Sequence, residues 1–165
     1  MSDLEIKQTR FGAPAARTLV AAAQADLAAR YGDTDQNPVE AIEFDPPEGG
    51  FFVAYLGGEP VACGGWRTLS HFTAAQTAGT QIAEDVAEIK RMYVVPTVRG
   101  AGVAAALIIA LEESARTHGM RRMVLETGQR QPEAISFYRK RGYEQIVNYG
   151  FYKDEPDCLS FGRDL

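Results

Sequence analysis

The sequence predicts an α/β fold with a mixed, mostly antiparallel central sheet of about seven strands and helices on both faces. Two apolar runs joined by Gly57-Gly58 predict a β-hairpin, and hence antiparallel pairing. The segment from Val86 to Glu126 reads as strand, helix, strand, which implies a parallel pair with a right-handed crossover. A chain with both kinds of pairing and interspersed helices favours a mixed sheet covered by helices.

Hydrophobic spacing and turn residues place the individual elements. Leu4 and Ile6 alternate with polar neighbours, as a half-buried strand does. Pro14 suits a helix start and Gly32 a helix end. The predicted strands are Leu4–Gln8, Phe51–Leu56, Pro60–Leu69, Val86–Val95, Met123–Leu125, Glu144–Tyr149 and Cys158–Arg163. The predicted helices are Ala15–Arg30, Arg99–Thr117 and Pro132–Arg141, and the predicted loops are Asp33–Gly50, with one short helix near Val39–Phe44, and Ser70–Ala83.

Composition excludes several classes of function. The length of 165 residues favours one domain over 1–165, and the formal net charge of −5 disfavours a broad nucleic-acid interface. No apolar run approaches the roughly 18 residues of a membrane span, and the first residues do not resemble a secretory signal. We therefore expect a cytoplasmic protein with reduced Cys63 and Cys158. With so few Cys and His residues, we expect no metal site.

The most informative stretch is the turn from Val94 to Ala104, in which Arg99, Gly102 and Ala104 form an R-x-x-G-x-A pattern. Unpaired amides at a helix start carry partial positive charge and bind phosphate groups. A P-loop is excluded because no Lys or Ser/Thr follows Gly102. A dinucleotide site is disfavoured because the motif lies in mid-chain and no suitable acid follows it.

Two blocks of sequence resemble the GNAT superfamily of acetyl-CoA-dependent N-acetyltransferases. The first runs from Glu88 to Val94 and continues into Arg99–Ala104. The second is Gln131–Tyr138, followed by Gly142-Tyr143. The clear match covers roughly residues 50 to 145, and the order of elements fits the family fold throughout. The combination of both blocks on the expected elements is much more specific than either alone.

The resemblance implies acetyl-CoA as co-substrate and assigns its binding residues. Backbone amides of the turn would hold the pyrophosphate, and the strand edge at Met92, Tyr93 and Val94 would bind the pantetheine as an added strand does. Gln131 stands where the family often has an Asn that contacts CoA. The turn residues so assigned are Arg99, Gly100, Ala101, Gly102, Val103 and Ala104.

Acetyl transfer to an amine also needs a base, an oxyanion donor and a proton for the leaving sulfur. The resemblance places Tyr138 beside the CoA sulfur as general acid. It makes Glu88 the candidate base, acting directly or through a water. A backbone N–H near Met92 or Tyr93 would stabilise the oxyanion, aimed by a β-bulge if the strand has one.

The acceptor is expected to be a primary amine of a small molecule or an exposed amine of a peptide or protein. The carboxylates within Asp33–Glu48 suggest a cationic acceptor drawn to an acidic rim. Alternatives are a catalytically silent CoA-binding regulatory module, a different acyl chain, or a hydroxyl acceptor. No nucleic-acid or membrane partner is expected, and exposed strands at the C-terminal edge would suit a homodimer.

Overall fold

The computed structural model describes residues 3–69 and 84–165, so the predicted loop Ser70–Ala83 lies outside the described residues. The helices are α1 (Pro14–Tyr31), α2 (Val103–Thr117) and α3 (Pro132–Lys140). The strands are β1 (Leu4–Thr9), β2 (Gly49–Leu56), β3 (Glu59–Thr68), β4 (Val86–Val94), β5 (Arg122–Gly128), β6 (Glu144–Ile146) and β7 (Cys158–Asp164).

The strands form one seven-stranded sheet in the order β1-β2-β3-β4-β5-β7-β6. Within the described part of the chain, every neighbouring pair is antiparallel except β4 and β5, which are parallel and connected through α2. The prediction of a mixed, mostly antiparallel sheet with helices on both faces is therefore confirmed.

The parallel pair β4–β5 is paired over only part of its length. Val86, Ala87 and Glu88 pair with Arg122, Met123 and Val124. Beyond Glu88, β4 continues to Val94, while β5 continues to Gly128 paired with β7. The two strands thus separate towards their carboxyl ends, and a gap opens in the middle of the sheet.

Alternation along β4 and β5 defines the two faces of the sheet. Ala87, Ile89, Met123 and Leu125 pack with Leu107 and Leu111 of α2 and with Tyr138 of α3. Val86 and Val124 point to the opposite face and pack with Tyr149. That opposite face is also covered by α1, whose Ala16 and Leu19 pack on Phe51 and Val53. We call these the α2/α3 face and the α1 face.

Boundaries differ from the sequence prediction at the functional turn. Helix α2 begins at Val103 and not at Arg99, because a short 3₁₀ turn covers Pro96–Val98 and Gly102 caps the helix in the left-handed conformation. The expected short helix near Val39–Phe44 is a 3₁₀ turn at Ala41–Phe44, and β6 already ends at Ile146. None of the helices among residues 3–69 and 84–165 has the length and apolar character needed to cross a bilayer.

Candidate active site

A cavity of about 510 Å³ fills the gap between the separated ends of β4 and β5. Strand β4 contributes Ile89 to Tyr93 to its wall, and β5 contributes Leu125 to Gly128. Helix α1 and residues 33–36 close one side, while α3 and residues 152–158 complete it. The cavity draws on both halves of the sequence and lies where the sheet is interrupted.

A β-bulge in β4 lies at the wall of this cavity. Gly65 of β3 pairs with Lys90 and Cys63 pairs with Tyr93, so Arg91 and Met92 together oppose Gly64. Arg91 has φ +57°, a left-handed backbone conformation that non-glycine residues seldom adopt. The extra residue reverses the alternation, which brings Met92 to the α2/α3 face although Lys90 precedes it by two.

Tyr138 reaches the cavity from α3. Its side chain is buried, and its hydroxyl donates to Met92 Sδ at 3.6 Å. Burial raises the pKa of the Tyr138 phenol, so the group keeps its proton well above neutral pH. The structure therefore brings together Tyr138 and Met92, two of the residues singled out in the sequence.

Glu88 does not reach the cavity wall. Its side chain is fully buried, with Oε1 accepting from Arg67 Nε at 3.1 Å and Oε2 from the Tyr149 hydroxyl at 2.8 Å. Arg67 is also fully buried and donates to Glu43 Oε2 at 2.8 Å. Glu88 is therefore part of a buried ion-pair network behind the cavity, an arrangement that does not favour direct contact with an acceptor.

Glu126 is a cavity residue that the sequence analysis missed. It lies on β5, where its Oε2 accepts from the Tyr152 backbone N–H at 3.1 Å and from Cys158 Sγ at 3.7 Å. Its Oε1 is buried and has no hydrogen-bond partner among the described residues. Burial, and next the charge of Glu88, raise its pKa to about 8. The sequence signal for this residue is a single carboxylate that directly follows the apolar residues Met123–Leu125 of β5.

Two carboxylates of the expected acidic rim, Asp35 and Glu43, are paired with cations. Asp35 binds Lys90 Nζ at 3.0 Å, binds Arg91, and accepts from the Tyr152 hydroxyl at 2.6 Å. Burial works to raise the Asp35 pKa, but the two cations outweigh it and lower the pKa to about 2. Glu43 is held by Arg67. Asp33 of the expected rim is exposed on the cavity wall, and so is Glu155 from another segment.

The turn before α2 uses some of its amides internally. Arg99 N donates to Pro96 O and Ala101 N to Val98 O, both at 3.3 Å. The first amide that bonds within α2 is Ala106, which donates to Gly102 O at 3.1 Å. Helix geometry therefore leaves the amides from Gly102 to Ala105 directed out of the helix end. Two of the six turn amides assigned from the resemblance are thus already engaged.

Two side chains that the resemblance assigns to CoA binding, Arg99 and Gln131, form hydrogen bonds within the protein. Arg99 Nε donates to Val94 O at 2.9 Å, and its guanidinium lies over the Tyr93 ring. Gln131 lines the cavity, and its Nε2 donates to the Tyr31 hydroxyl at 3.3 Å. The residues that the structure describes contain no group of three or more His, Cys, Asp or Glu able to hold a metal ion.

The model of the acetyltransferase (GNAT) family matches residues 16–143. This chain belongs to the GNAT family of acetyltransferases. Among curated relatives, the IAA acetyltransferase of Azospirillum brasilense is 34% identical over 119 residues, which cover 72% of this chain and 70% of that protein. The uncharacterized N-acetyltransferase YjgM of Escherichia coli K12 is 32% identical over 117 residues, covering 70% of this chain and 64% of that protein.

Solved structures share the fold at lower sequence identity. An acetyltransferase from Streptococcus agalactiae 2603 superposes with a TM-score of 0.70 at 18% identity, covering 100% of both chains. A GNAT acetyltransferase from Elizabethkingia anophelis, with acetyl-CoA bound, gives a TM-score of 0.67 at 16% identity, again covering 100% of both. The PaiA N-acetyltransferase of Thermoplasma acidophilum, in complex with coenzyme A, gives 0.67 at 14% identity, covering 98% of this chain and 99% of that one.

Proposed function

We propose that this GNAT protein is an N-acetyltransferase that moves acetyl from acetyl-CoA to a primary amine of a small molecule or an exposed peptide amine. The observation that carries the proposal is the cavity between β4 and β5, with a bulge in one strand and a buried tyrosine at its wall. A thioester in this gap would have backbone amides, a proton donor and an acceptor space around it.

The residues of the gap fit coenzyme A. The amides of Gly102, Val103 and Ala104 at the start of α2 offer donors and partial positive charge to a pyrophosphate. The edge of β4 that faces the gap offers backbone groups at Met92 to Val94 to the pantetheine amides. In two structural neighbours of the same fold, acetyl-CoA or coenzyme A is bound.

Tyr138 is proposed as the general acid. Since its phenol is protonated at neutral pH, it can donate to the sulfur as the carbon–sulfur bond breaks. The bulge at Arg91 and Met92 is the proposed source of an amide for the oxyanion, because it takes backbone groups out of the β3–β4 ladder. Glu88, held by Arg67 and Tyr149, is proposed only to position this part of β4.

The acceptor is proposed to arrive as an ammonium ion. Asp33 and Glu155 are exposed on the cavity wall from two different loops, whereas Asp35 is committed to Lys90 and Arg91. A pair of exposed carboxylates raises the local concentration of cations and therefore the rate of encounter. Of the carboxylates expected to steer a cationic acceptor, Asp33 therefore remains a candidate, and Glu155 is added.

We also propose a cytoplasmic location and a homodimeric assembly. The unpaired, buried thiols of Cys63 and Cys158 suit a reducing compartment such as the cytoplasm. Strand β6 lies at one edge of the sheet, where a second copy could add its own edge in a homodimer.

A thiol-release assay with acetyl-CoA and a panel of polyamines, amino acids, aminoglycosides and peptides tests the proposal. Wild type should release CoA thiol with at least one acceptor. Tyr138→Phe should lower kcat by about 10²-fold or more while leaving CoA affinity nearly unchanged. Tyr55→Phe, on the distant strand β2, is the matched control and should behave as wild type.

The regulatory alternative predicts a different result. A sensor would bind coenzyme A but release no thiol with any acceptor, and Tyr138→Phe would change neither observation. Full activity in Tyr138→Phe, with an active wild type, would remove Tyr138 from the mechanism.

A further inference from the structure

We propose that Glu112 and Tyr143 are positioning residues that hold the Tyr138 hydroxyl where it can give its proton to the leaving sulfur. The inference rests on the proposed function and extends it to two residues that do not line the cavity. Three observations support it: the limited burial of α3, the contacts between Tyr143 and Tyr138, and the buried charge of Glu112.

Helix α3 buries few side chains of its own. It has nine residues, and Tyr138 is the only one of the nine that is buried. Ala134, Ile135 and Phe137 are partly buried against the core. Helices of fewer than about 12 residues are marginal alone and depend on tertiary packing. The direction of the Tyr138 hydroxyl therefore depends on whatever else fixes this short helix in place.

Tyr143 contacts both the side chain and the backbone of Tyr138. The two rings pack edge to face, with centroids 5.6 Å apart and an interplanar angle of 68°. The Tyr143 backbone N–H donates to Tyr138 O at 3.0 Å, across a turn in which Gly142 has φ +86°. A left-handed glycine is a common end to a helix, and here it brings the chain back onto α3. A displacement of Tyr143 would therefore displace Tyr138 as well.

Glu112 of α2 fixes Tyr143 in turn. Tyr143 is 2% exposed and Glu112 is 4% exposed, and the Tyr143 hydroxyl donates to Glu112 Oε1 at 2.9 Å. Arg163 Nη1 of β7 lies 3.2 Å from each Glu112 oxygen, and Arg141 Nη2 lies 3.9 Å from Oε2. The carboxylate thus connects α2, β7 and the segment that follows α3. Burial, and next the charge of Glu112, raise the pKa of Tyr143, so its hydroxyl remains a donor.

The position of Glu112 in the core is not what stability alone would favour. On the same helix, Leu107, Leu111 and Ala115 are fully buried and apolar, so an apolar residue at position 112 would extend the same packing. Replacing a buried ion pair by apolar side chains of similar volume is often neutral or stabilising. A satisfied hydrogen-bond network, by contrast, favours one arrangement of its members. We infer that orientation of the α3 end is what Glu112 contributes.

The expected consequence is confined to the chemical step. Proton transfer requires the Tyr138 hydroxyl to lie within hydrogen-bonding reach of the sulfur, and a displacement of about 1 Å can cost up to 10²-fold in rate. In the structure this hydroxyl lies 3.6 Å from Met92 Sδ and so faces the bulge of β4. Because Glu112 and Tyr143 do not line the cavity, their loss should leave binding of coenzyme A unchanged.

A double-mutant cycle tests the inference, with an acceptor identified by thiol release. Tyr143→Phe keeps the ring and removes only the hydroxyl. It should lower kcat about 10-fold, while KM for acetyl-CoA and the calorimetric Kd of coenzyme A change by less than about twofold. In the Tyr138→Phe background the same substitution should lower kcat no further, because the residue that it positions has lost its proton.

Two substitutions of Glu112 sharpen the cycle. Glu112→Met removes the acceptor of the Tyr143 hydroxyl and should lower kcat as much as Tyr143→Phe does. Glu112→Gln keeps an oxygen for that hydroxyl and should restore most of the lost rate. A Gln variant as slow as the Met variant would contradict the proposed role of this hydrogen bond.

Ser114→Ala is the matched control on the same helix. It removes a hydrogen bond of 3.0 Å to the indole nitrogen of the buried Trp66, and neither of these residues lines the cavity. The variant should lose stability in urea denaturation and yet keep the wild-type kcat per folded molecule. A general loosening of α2 would lower kcat in Ser114→Ala too, and that result would overturn the inference.

The remaining outcomes separate this inference from the proposed function. An active wild type whose Tyr143→Phe variant keeps its kcat, or loses it equally with and without the Tyr138 hydroxyl, overturns the inference alone. Full activity in Tyr138→Phe also overturns it, because the residue to be positioned is then not in the mechanism. A wild type that releases no thiol overturns both. If Tyr143→Phe does not fold, Glu112→Met takes its place in the cycle with the same outcomes.

Discussion

The two halves of the β4–β5 pair show what the same two strands do when they are joined and when they part. In the joined half, Val86 to Glu88 pair with β5 and the polar atoms of the Glu88 carboxylate are all satisfied. In the separated half, β4 carries a bulge with Arg91 in a left-handed conformation, and Glu126 Oε1 has no hydrogen-bond partner among the described residues. The joined half contributes rigidity, and the separated half keeps unsatisfied groups that a ligand can use.

Glu88 and Glu126 illustrate the difference between the joined and separated halves. Glu88 on β4 is fully buried and Glu126 on the adjacent β5 is partly buried, and residue type alone does not distinguish them. Both oxygens of Glu88 accept hydrogen bonds, whereas Glu126 Oε1 is buried without a hydrogen-bond partner among the described residues. Hydrogen bonding, more than residue type, distinguishes the two carboxylates.

The largest expected effect concerns the joined half. Glu88→Ala leaves the fully buried Arg67 without its main partner on β4, and we expect a loss of about 3–5 kcal/mol in the free energy of unfolding. Urea denaturation measures it. Glu59→Ala, exposed in the hairpin, is the control and should change stability by less than about 0.5 kcal/mol.

The Glu88→Gln variant distinguishes a structural role of Glu88 from a catalytic one. If the variant is as stable as wild type but loses most of its kcat, the comparison between the two glutamates is wrong and Glu88 returns as the base. We expect kcat to fall only in proportion to any loss of folded protein.

In the separated half, Asp35 should contribute a smaller, pH-dependent amount. Its folded-state pKa of about 2 lies below the ordinary 3.8, so its stabilisation is present above pH 4 and is lost as pH falls towards 2. Asp35→Asn should therefore be less stable than wild type by about 2 kcal/mol at pH 7, and the difference should vanish near pH 2. A difference that does not depend on pH would mean that the ion pairs to Lys90 and Arg91 are not its cause.

A comparison of two glycines separates the effect of a substitution on CoA binding from its effect on backbone strain. Gly102 and Gly119 have φ +85° and +87°, and a Cβ added to either meets nothing within 4 Å. Alanine at either position should cost a similar amount of stability, about 1–2 kcal/mol. Only Gly102→Ala should also weaken CoA binding, by about 10-fold, because Gly102 caps α2 at the proposed pyrophosphate site. Equal CoA affinity in the two variants would remove this turn from the site.

The smallest expected effect concerns the mouth of the cavity. Asp33→Asn combined with Glu155→Gln should lower kcat/KM for a cationic acceptor about threefold to tenfold at low salt, and the difference should shrink at high salt. Glu113→Gln, exposed on α2, serves as the control. Unchanged kcat/KM at low salt would show that these carboxylates only solvate the surface.

Much of the fold could be predicted from sequence because its signals are local. Gly57-Gly58 defines the hairpin, and the strand–helix–strand segment around Arg99 defines the parallel pair. Helix boundaries at the turn were missed by four residues, since the 3₁₀ turn at Pro96–Val98 and the left-handed Gly102 depend on backbone geometry that propensity does not show.

The site was harder to predict because its chemistry depends on contacts between distant segments. Tyr138 could be found from its motif, and it does reach Met92. The partners of Glu88 come from residues 67 and 149, and those of Asp35 from residues 90, 91 and 152, so no local pattern could reveal that these carboxylates are occupied. The same non-local packing leaves Glu126 Oε1 without a hydrogen-bond partner in the part of the chain that the structure describes.

Hydrogen exchange with and without acetyl-CoA tests most directly whether the separated half of β4–β5 binds the co-substrate. Protection should increase in peptides that cover residues 91–94 and 102–105, and should stay unchanged in the β1–β2 strands at the far edge of the sheet. Binding measured by calorimetry, with no added protection at either of those two segments, would contradict the account.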